Sequence, residues 1–242
     1  MKLAFSLCDW QASAPGLAGL ADWQQWATKS PAIDETLPLA KAQHLPMMTA
    51  RRLSSGSRAA VECGLALIKR QPVDAVVFTS RHGELERNLR ILTSLAKEES
   101  LSPTDFAMSV HNAAVGSLTI AAALPLVSTS LAAGADSFQQ GLLEVATLHS
   151  AGYQQVLLVD FDGAIPPFYQ HYLPEGALHS PYAVALLLRQ GTDCRCQAIP
   201  SEDQTSDVLP QSLLFLHAWL RRERSFVVTG DRFHWQWECQ HG

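Results

Sequence analysis

The sequence predicts an α/β fold, a mixed and mostly parallel sheet with helices on both faces, followed by a small C-terminal extension. Two successive α/β units carry that reading. Val73–Thr79 (VDAVVFT) reads as a buried strand that ends in polar Ser80-Arg81-His82-Gly83, before a charged helix over 84–99. Pro125–Ser130 is a second short strand, leading into a helix over 132–150 and a further strand at Gln155–Asp160. Composition agrees: hydrophobic residues make up 47% of the 242, with Ala and Leu dominant, which suits helices packed on a sheet.

Taken in order, Lys2–Leu7 is a first strand. A loop-rich stretch with surface helices follows, carrying Trp10, Pro15, Trp23, Trp26 and Pro31. Ser54–Lys69 is a clean helix: Ser54, Ser55 or Ser57 can cap it, and Ala60, Val61, Gly64, Leu65 and Ile68 fall at helical spacing. Gln71-Pro72 breaks the chain before the strand at Val73. Ala113–Ala123 is strongly apolar, and its Gly116 and alanines suit close packing. Gly152 stands where helices commonly end. Tyr182–Arg189 (YAVALLLR) is another buried strand, Gly191–Leu209 is polar and loop-like, and Ser212–Arg222 is a terminal helix. Phe226–Trp237 alternates as a hairpin around Thr229-Gly230-Asp231. The expected organisation is one α/β domain over 1–190 with an extension, 191–242, packed on it.

A formal charge of −5 and the absence of a Lys/Arg stripe argue against nucleic-acid binding. Arg221, Arg222 and Arg224 form the densest basic patch and read as a solvated helix end. The five cysteines (Cys8, Cys63, Cys194, Cys196 and Cys239) are odd in number and lack zinc or redox spacing, so reduced thiols in a cytoplasmic protein are expected. The apolar run after Lys2 is too short for a secretion signal, and no segment approaches the roughly 20 apolar residues of a membrane span. No metal or cofactor is called for. Asp160-x-Asp162 lacks a third carboxylate or a phosphate loop and reads as a strand-end turn; His171 and His179 share no ligand spacing.

The most informative segment is 102–141, SPTDFAMSVHNAAVGSLTIAAALPLVSTSLAAGADSFQQG. Its Ser-Thr-Ser run leaves a short strand and enters a small-residue helix start, the layout of a strand-turn-helix elbow. A Cys at such a turn would face free N–H groups and a positive helix end, which lower a thiol's pKa and stabilise an oxyanion. Here the turn carries Leu131, which neither ionises nor attacks. Ser128 and Ser130 are not in a G-x-S-x-G setting and read as cap or turn hydroxyls. His111 reads as a structural histidine bonding backbone.

In register, this stretch resembles the N-terminal half of a β-ketoacyl synthase, an enzyme of the thiolase-like fold. Ser102-Pro103, Asn112, Gly116 and Leu118-Thr119-Ile120 match the pattern S-P…N…G-x-L-T-I, and Val127–Phe138 matches I-S-T-A-C-S-S-G-A. The catalytic Cys of that pattern falls on Leu131. Thr79–Leu85 overlays the loop that floors the acyl pocket, placing Arg81 and His82 there. YAVALLLR is similar to the strand after the family's G-E-G-A-G run, which is not reproduced. The resemblance spans roughly Val73–Arg189, and neither H-G-T-G-T nor N-x-F-G-F-G-G occurs in the roughly fifty residues beyond.

What the resemblance implies is a chain-length-factor-like subunit of the aryl polyene type, without catalysis of its own. Such a chain forms a heterodimer with an active β-ketoacyl-acyl-carrier-protein synthase, meets acyl carrier protein indirectly, and helps shape the acyl tunnel. The interface strand would be Pro125, Leu126, Val127, Ser128, Thr129 and Ser130, with Thr104, Phe106, Met108 and His111 toward the interface or tunnel. Two alternatives stay open: an acyl hydrolase or transferase using Ser128 or Ser130, and a stand-alone acyl-carrier-binding module.

Overall fold

A computed structural model describes residues 1–200, 209–231 and 233–241. In chain order the elements are β1 (Lys2–Ser13), α1 (Leu20–Ala27), α2 (Met47–Ala50), α3 (Ser55–Arg70), β2 (Ala75–Thr79), α4 (Leu85–Ala96), α5 (Pro103–Ala107) and α6 (Ala113–Ala122). There follow β3 (Val127–Leu131), α7 (Ser137–Ser150), β4 (Gln155–Asp162), α8 (Pro167–Gln170), β5 (Tyr182–Pro200), α9 (Gln211–Leu220), β6 (Ser225–Val228) and β7 (Phe233–Cys239).

All seven strands form one sheet in the order β3-β2-β4-β5-β7-β6, with β1 also paired to β5. The strands β3, β2 and β4 run parallel, as crossover helices allow. The remaining pairings are antiparallel, so the sheet is mixed but not mostly parallel. The reason is that β5 returns beside β4 and then takes a hairpin on its far half. Two apolar clusters lie on the two faces. One joins Val77, Leu158, Val184 and Leu186 to Phe138 and Leu142 of α7 and Phe215 of α9. The other joins Val76, Phe78 and Leu157 to Leu65 and Leu67 of α3 and Leu118 of α6. Strand alternation accounts for the split, since successive side chains point to opposite faces.

Several sequence expectations shift here. The first strand runs on to Ser13, because β5 offers it backbone partners along most of its length. Residues 191–200 are strand rather than loop for the same reason, paired with β7; residues 201–208 of the expected loop lie outside the described residues. The helix after the elbow starts at Ser137, not Ala132, since Gly134 turns the chain with φ +61°. Cys194 and Cys239 are joined by a disulfide, which corrects the expectation of five reduced thiols. The β5–β7 register sets them directly opposite, with Cα atoms 4.3 Å apart. Cys8, Cys63 and Cys196 are free, and burial raises the thiol pKa of Cys63 and lifts that of Cys196 to about 12.

The start of α3 abuts the end of β4. A methyl on Gly56 would lie 2.4 Å from the Gly163 nitrogen and 2.6 Å from the Asp162 carbonyl carbon, both backbone atoms. Gly56→Ala is therefore expected to destabilise the fold by about 1–3 kcal/mol, read as a lowered urea midpoint at unchanged m-value.

Candidate functional site

Two regions carry the chemistry. The first is the edge of the sheet at β3. Among the described residues β3 pairs with β2 and with no other strand, so one row of its backbone groups faces outward. Val127 and Ser128 are exposed and Thr129 and Ser130 half-buried; Pro125 is exposed, and Leu126 packs into the α3–α6 core. Thr129 Oγ1 donates to Glu144 of α7 at 3.2 Å, while the buried Ser130 Oγ has no hydrogen-bond partner. Leu131 closes β3, half-buried against the α7 core, and its carbonyl accepts the Ser80 N–H at 3.3 Å. Five residues, 132–136, lie between it and the first residue of α7. Ser137, the first residue of α7, closes the turn before it: its Oγ accepts the Ala133 N–H at 2.9 Å and donates to the Gly134 carbonyl at 2.8 Å, and no side chain caps α7 itself.

Beside this edge lies α6, with α5 just before it in the chain. Ser102 caps α5 by accepting the Asp105 N–H at 3.2 Å, with Pro103 in the first turn. Thr104 is exposed, Phe106 is 66% exposed, and Met108 leans on the α3–α6 core. His111 Nε2 donates to the Ser80 carbonyl at 3.3 Å, which ties the α6 entry to the end of β2. Helix α6 has no charged residue, yet only one side of it is buried, and Ile120 is 81% exposed. A helix apolar all round is the kind that ends up enclosed by protein.

The second region is a cavity of about 90 Å³ at the C-terminal ends of β2 and β4, with Arg81 and His82 on its wall. At its base sit Asp160 and Asp162, two residues apart on one face of β4 and both buried. Asp160 accepts Thr79 Oγ1 at 2.6 Å, Ser212 Oγ at 2.6 Å and the Tyr182 hydroxyl at 3.1 Å. Asp162 Oδ1 accepts Ser80 Oγ at 2.6 Å and the His82 N–H at 2.8 Å. Burial pushes both carboxyls up to about 6, against the pull of these donors. It pushes His82 down to about 4, with Arg81 adding to the effect, so His82 is neutral at pH 7. The strand-end turn expected at Asp160-x-Asp162 is thus a buried polar joint between β2, β4, β5 and α9. Burial of two acids in an otherwise apolar run (VLLVDFD) was its sequence signal.

Among the described residues no cluster of His, Cys, Asp and Glu forms a metal site, and no helix is long and apolar enough to cross a membrane. The pattern of the β-ketoacyl synthase N-terminal domain matches residues 23–238. This chain belongs to that family. It is 56% identical, over 98% of its length and 99% of the other's, to a chain in the complex of a ketosynthase with its chain length factor from Xenorhabdus doucetiae, with a TM-score of 0.94. The ishigamide ketosynthase/chain length factor matches at 14% identity over 84% of this chain and 68% of that one, TM-score 0.65. A type II polyketide synthase acyl-carrier protein–ketosynthase complex matches at 9% identity over 99% and 100%, TM-score 0.70. These two share the fold. No curated protein matches the chain. The family match extends beyond the 73–189 expected from motifs alone and takes in the hairpin β6–β7.

The acid pair has a thermodynamic signature. A carboxyl whose folded pKa is raised above its ordinary 3.8 contributes stability below that value and loses it as pH rises through about 6. Asp160→Asn keeps an acceptor and removes one titration. The stability of Asp160→Asn relative to wild type is expected to climb between pH 4 and pH 6, by at most about 1.4 kcal/mol per pH unit, in urea titrations. A difference that stays flat across that window would show that Asp160 is not the titrating group.

Proposed function

We propose that the chain is a non-catalytic, chain-length-factor-like partner of an active β-ketoacyl-acyl-carrier-protein synthase, in aryl polyene or related polyketide and fatty-acid biosynthesis. The observation that carries the reading is the unpaired edge strand β3, flanked by exposed apolar side chains and ending in Leu131 where the family pattern has its nucleophile. A partner strand laid along β3 would satisfy its outward N–H and C=O groups. Phe106, Ile120 and Val127, respectively 66%, 81% and 45% exposed, would be covered by the same partner. Gly116, one turn before Ile120, supports close approach there, since a methyl at that position would meet nothing within 4 Å in this chain.

Condensation needs a thiolate to accept the acyl chain and imidazoles to drive decarboxylation. In this reading the partner supplies both, while this chain supplies the edge and one wall of the tunnel through Thr104, Phe106 and Met108. Acyl carrier protein reaches the pair through the active subunit. Hydrolysis by Ser130 is disfavoured because its buried Oγ has no partner of any kind, hence no base.

Co-expression with a ketosynthase from the same genomic neighbourhood tests the reading. Tight co-purification is expected, with condensation that depends on the partner's cysteine. Ile120→Asp or Val127→Asp should weaken the pair by roughly 2 kcal/mol, about thirtyfold, in titration calorimetry. Leu131→Cys should restore no condensation when the partner's cysteine is replaced by Ala, because residues 132–136 separate position 131 from the start of α7, whose pull on a thiol falls off within a turn. A chain that hydrolyses acyl thioesters alone, and stops on Ser130→Ala, would overturn the proposal. Phe106→Ala should shift product length while leaving the mass of the pair unchanged.

A further inference from the structure

Helix α4 is mounted with its polar side inward. Leu85, Leu89, Leu92 and Ala96 share one stripe (i, i+4, i+7, i+11), whereas Arg87 lies on the opposite side and is its one buried residue among those described. Leu92 is 53% exposed and Arg87 only 4%. Amphipathic helices ordinarily bury the reverse set. Helix α5 buries no residue at all. Residues 84–112 therefore form an arm with no fully buried apolar side chain in α4 or α5; Leu85, Leu89 and Ile91 are half-buried, and Met108 after α5 packs on the α3–α6 core.

Its root is ionic. Glu84 accepts Ser54 Oγ at 3.1 Å and also Ser57 Oγ. Glu86 accepts Ser55 Oγ, the Ser55 N–H at 3.3 Å and the Ala164 N–H at 3.1 Å. Two carboxylates thus sit on the N-terminus of the sixteen-residue α3, where unpaired N–H groups and the helix dipole favour negative charge. Arg87 joins this anchor to its neighbours. Its Nε donates to Glu84 at 3.0 Å, Nη1 to Asp105 of α5 at 2.6 Å, and Nη2 to the Arg52 carbonyl before α3. Arg90 adds a second guanidinium on Asp105 at 2.9 Å. The hydrogen bond from Arg90, followed by the pairing with both guanidiniums, holds the Asp105 carboxyl below the usual carboxylate range.

We infer that Arg87 is a positioning residue for the partner-facing arm: one guanidinium fixes the Arg52 turn, α4 and α5 together, and so aims Leu92 and Phe106 outward without using them as glue. An apolar mount would consume the side chains that a partner needs. The planar fork of Arg, with donors in three directions, meets this geometry where the single ammonium of Lys does not. The inference rests on the reading above that the arm meets a ketosynthase.

Its test uses the full chain, alone and with the ketosynthase. In Arg87→Gln, hydrogen exchange of amides 84–112 is expected to speed at least tenfold in the free chain while the sheet stays protected, and affinity for the ketosynthase to fall at least tenfold. Asp105→Asn cuts only the α5 branch, keeps the buried Arg87–Glu84 pair should Arg87→Gln fail to fold, and should weaken binding about threefold with faster exchange confined to 100–110. Arg87→Lys should fall between wild type and Arg87→Gln. Arg70→Gln, which removes the surface pair with Asp9 (2.9 Å), should change neither readout. Unchanged arm exchange in both Arg87→Gln and Asp105→Asn, or loosened arms with undiminished affinity, would overturn the inference. Failure of the wild-type chain to bind any ketosynthase overturns the partner reading instead, and arm exchange in the free chain still decides whether Arg87 holds the arm.

Discussion

Backbone hydrogen bonding along β5 sets the rest of the architecture. This nineteen-residue strand takes β1 along one side, and on the other β4 at residues 182–189 and β7 at 194–200. With both of its sides occupied, the sheet ends at β1 on one side of this strand and extends outward from β4 and β7 on the other. The β4 side leads through β2 to β3, and the β7 side ends at the short β6. The exposed edge at β3 is thus where a long central strand leaves it. The polar joint at Asp160 ties the same strand down, since Tyr182 at its first position and Ser212 of α9 donate to one carboxylate.

The molecule separates two kinds of attachment. Its sheet faces are closed by apolar packing, with α7 and α9 on one side and α3 and α6 on the other. The arm with α4 and α5 is closed by charge, through Glu84, Glu86, Arg87 and Asp105. Burial of a paired guanidinium costs desolvation that apolar packing would not, and its return is direction: three fixed donors leave little freedom of orientation. The division fits a chain whose outer apolar side chains are reserved for another protein.

Local patterns in the sequence carried far. The helix at 54–69 is found at Ser55–Arg70, and the hairpin at Thr229-Gly230-Asp231 is present, because capping, helical spacing and turn chemistry act over a few residues. The edge strand was visible for the same reason, displaced by one or two residues. What stayed hidden depends on partners distant in the chain. Asp160 reads as a turn residue until Ser212, 52 positions away, is brought against it. Glu84 and Arg87 belong to what reads only as a charged helix over 84–99, and they are buried where Asp105 and the α3 N-terminus meet them. The cystine hinged on register, which no spacing of Cys194 and Cys239 discloses.

The free edge of β3 also bears on supply. A strand that offers unpaired N–H and C=O groups beside exposed Val127 and Ile120 accepts any extended peptide of suitable register, including a second copy of itself. An uncovered β3 edge would thus be a place for self-association. On the proposed pairing, matched dosage with a covering subunit, such as translation from one shared message, would leave fewer copies with an uncovered β3 edge.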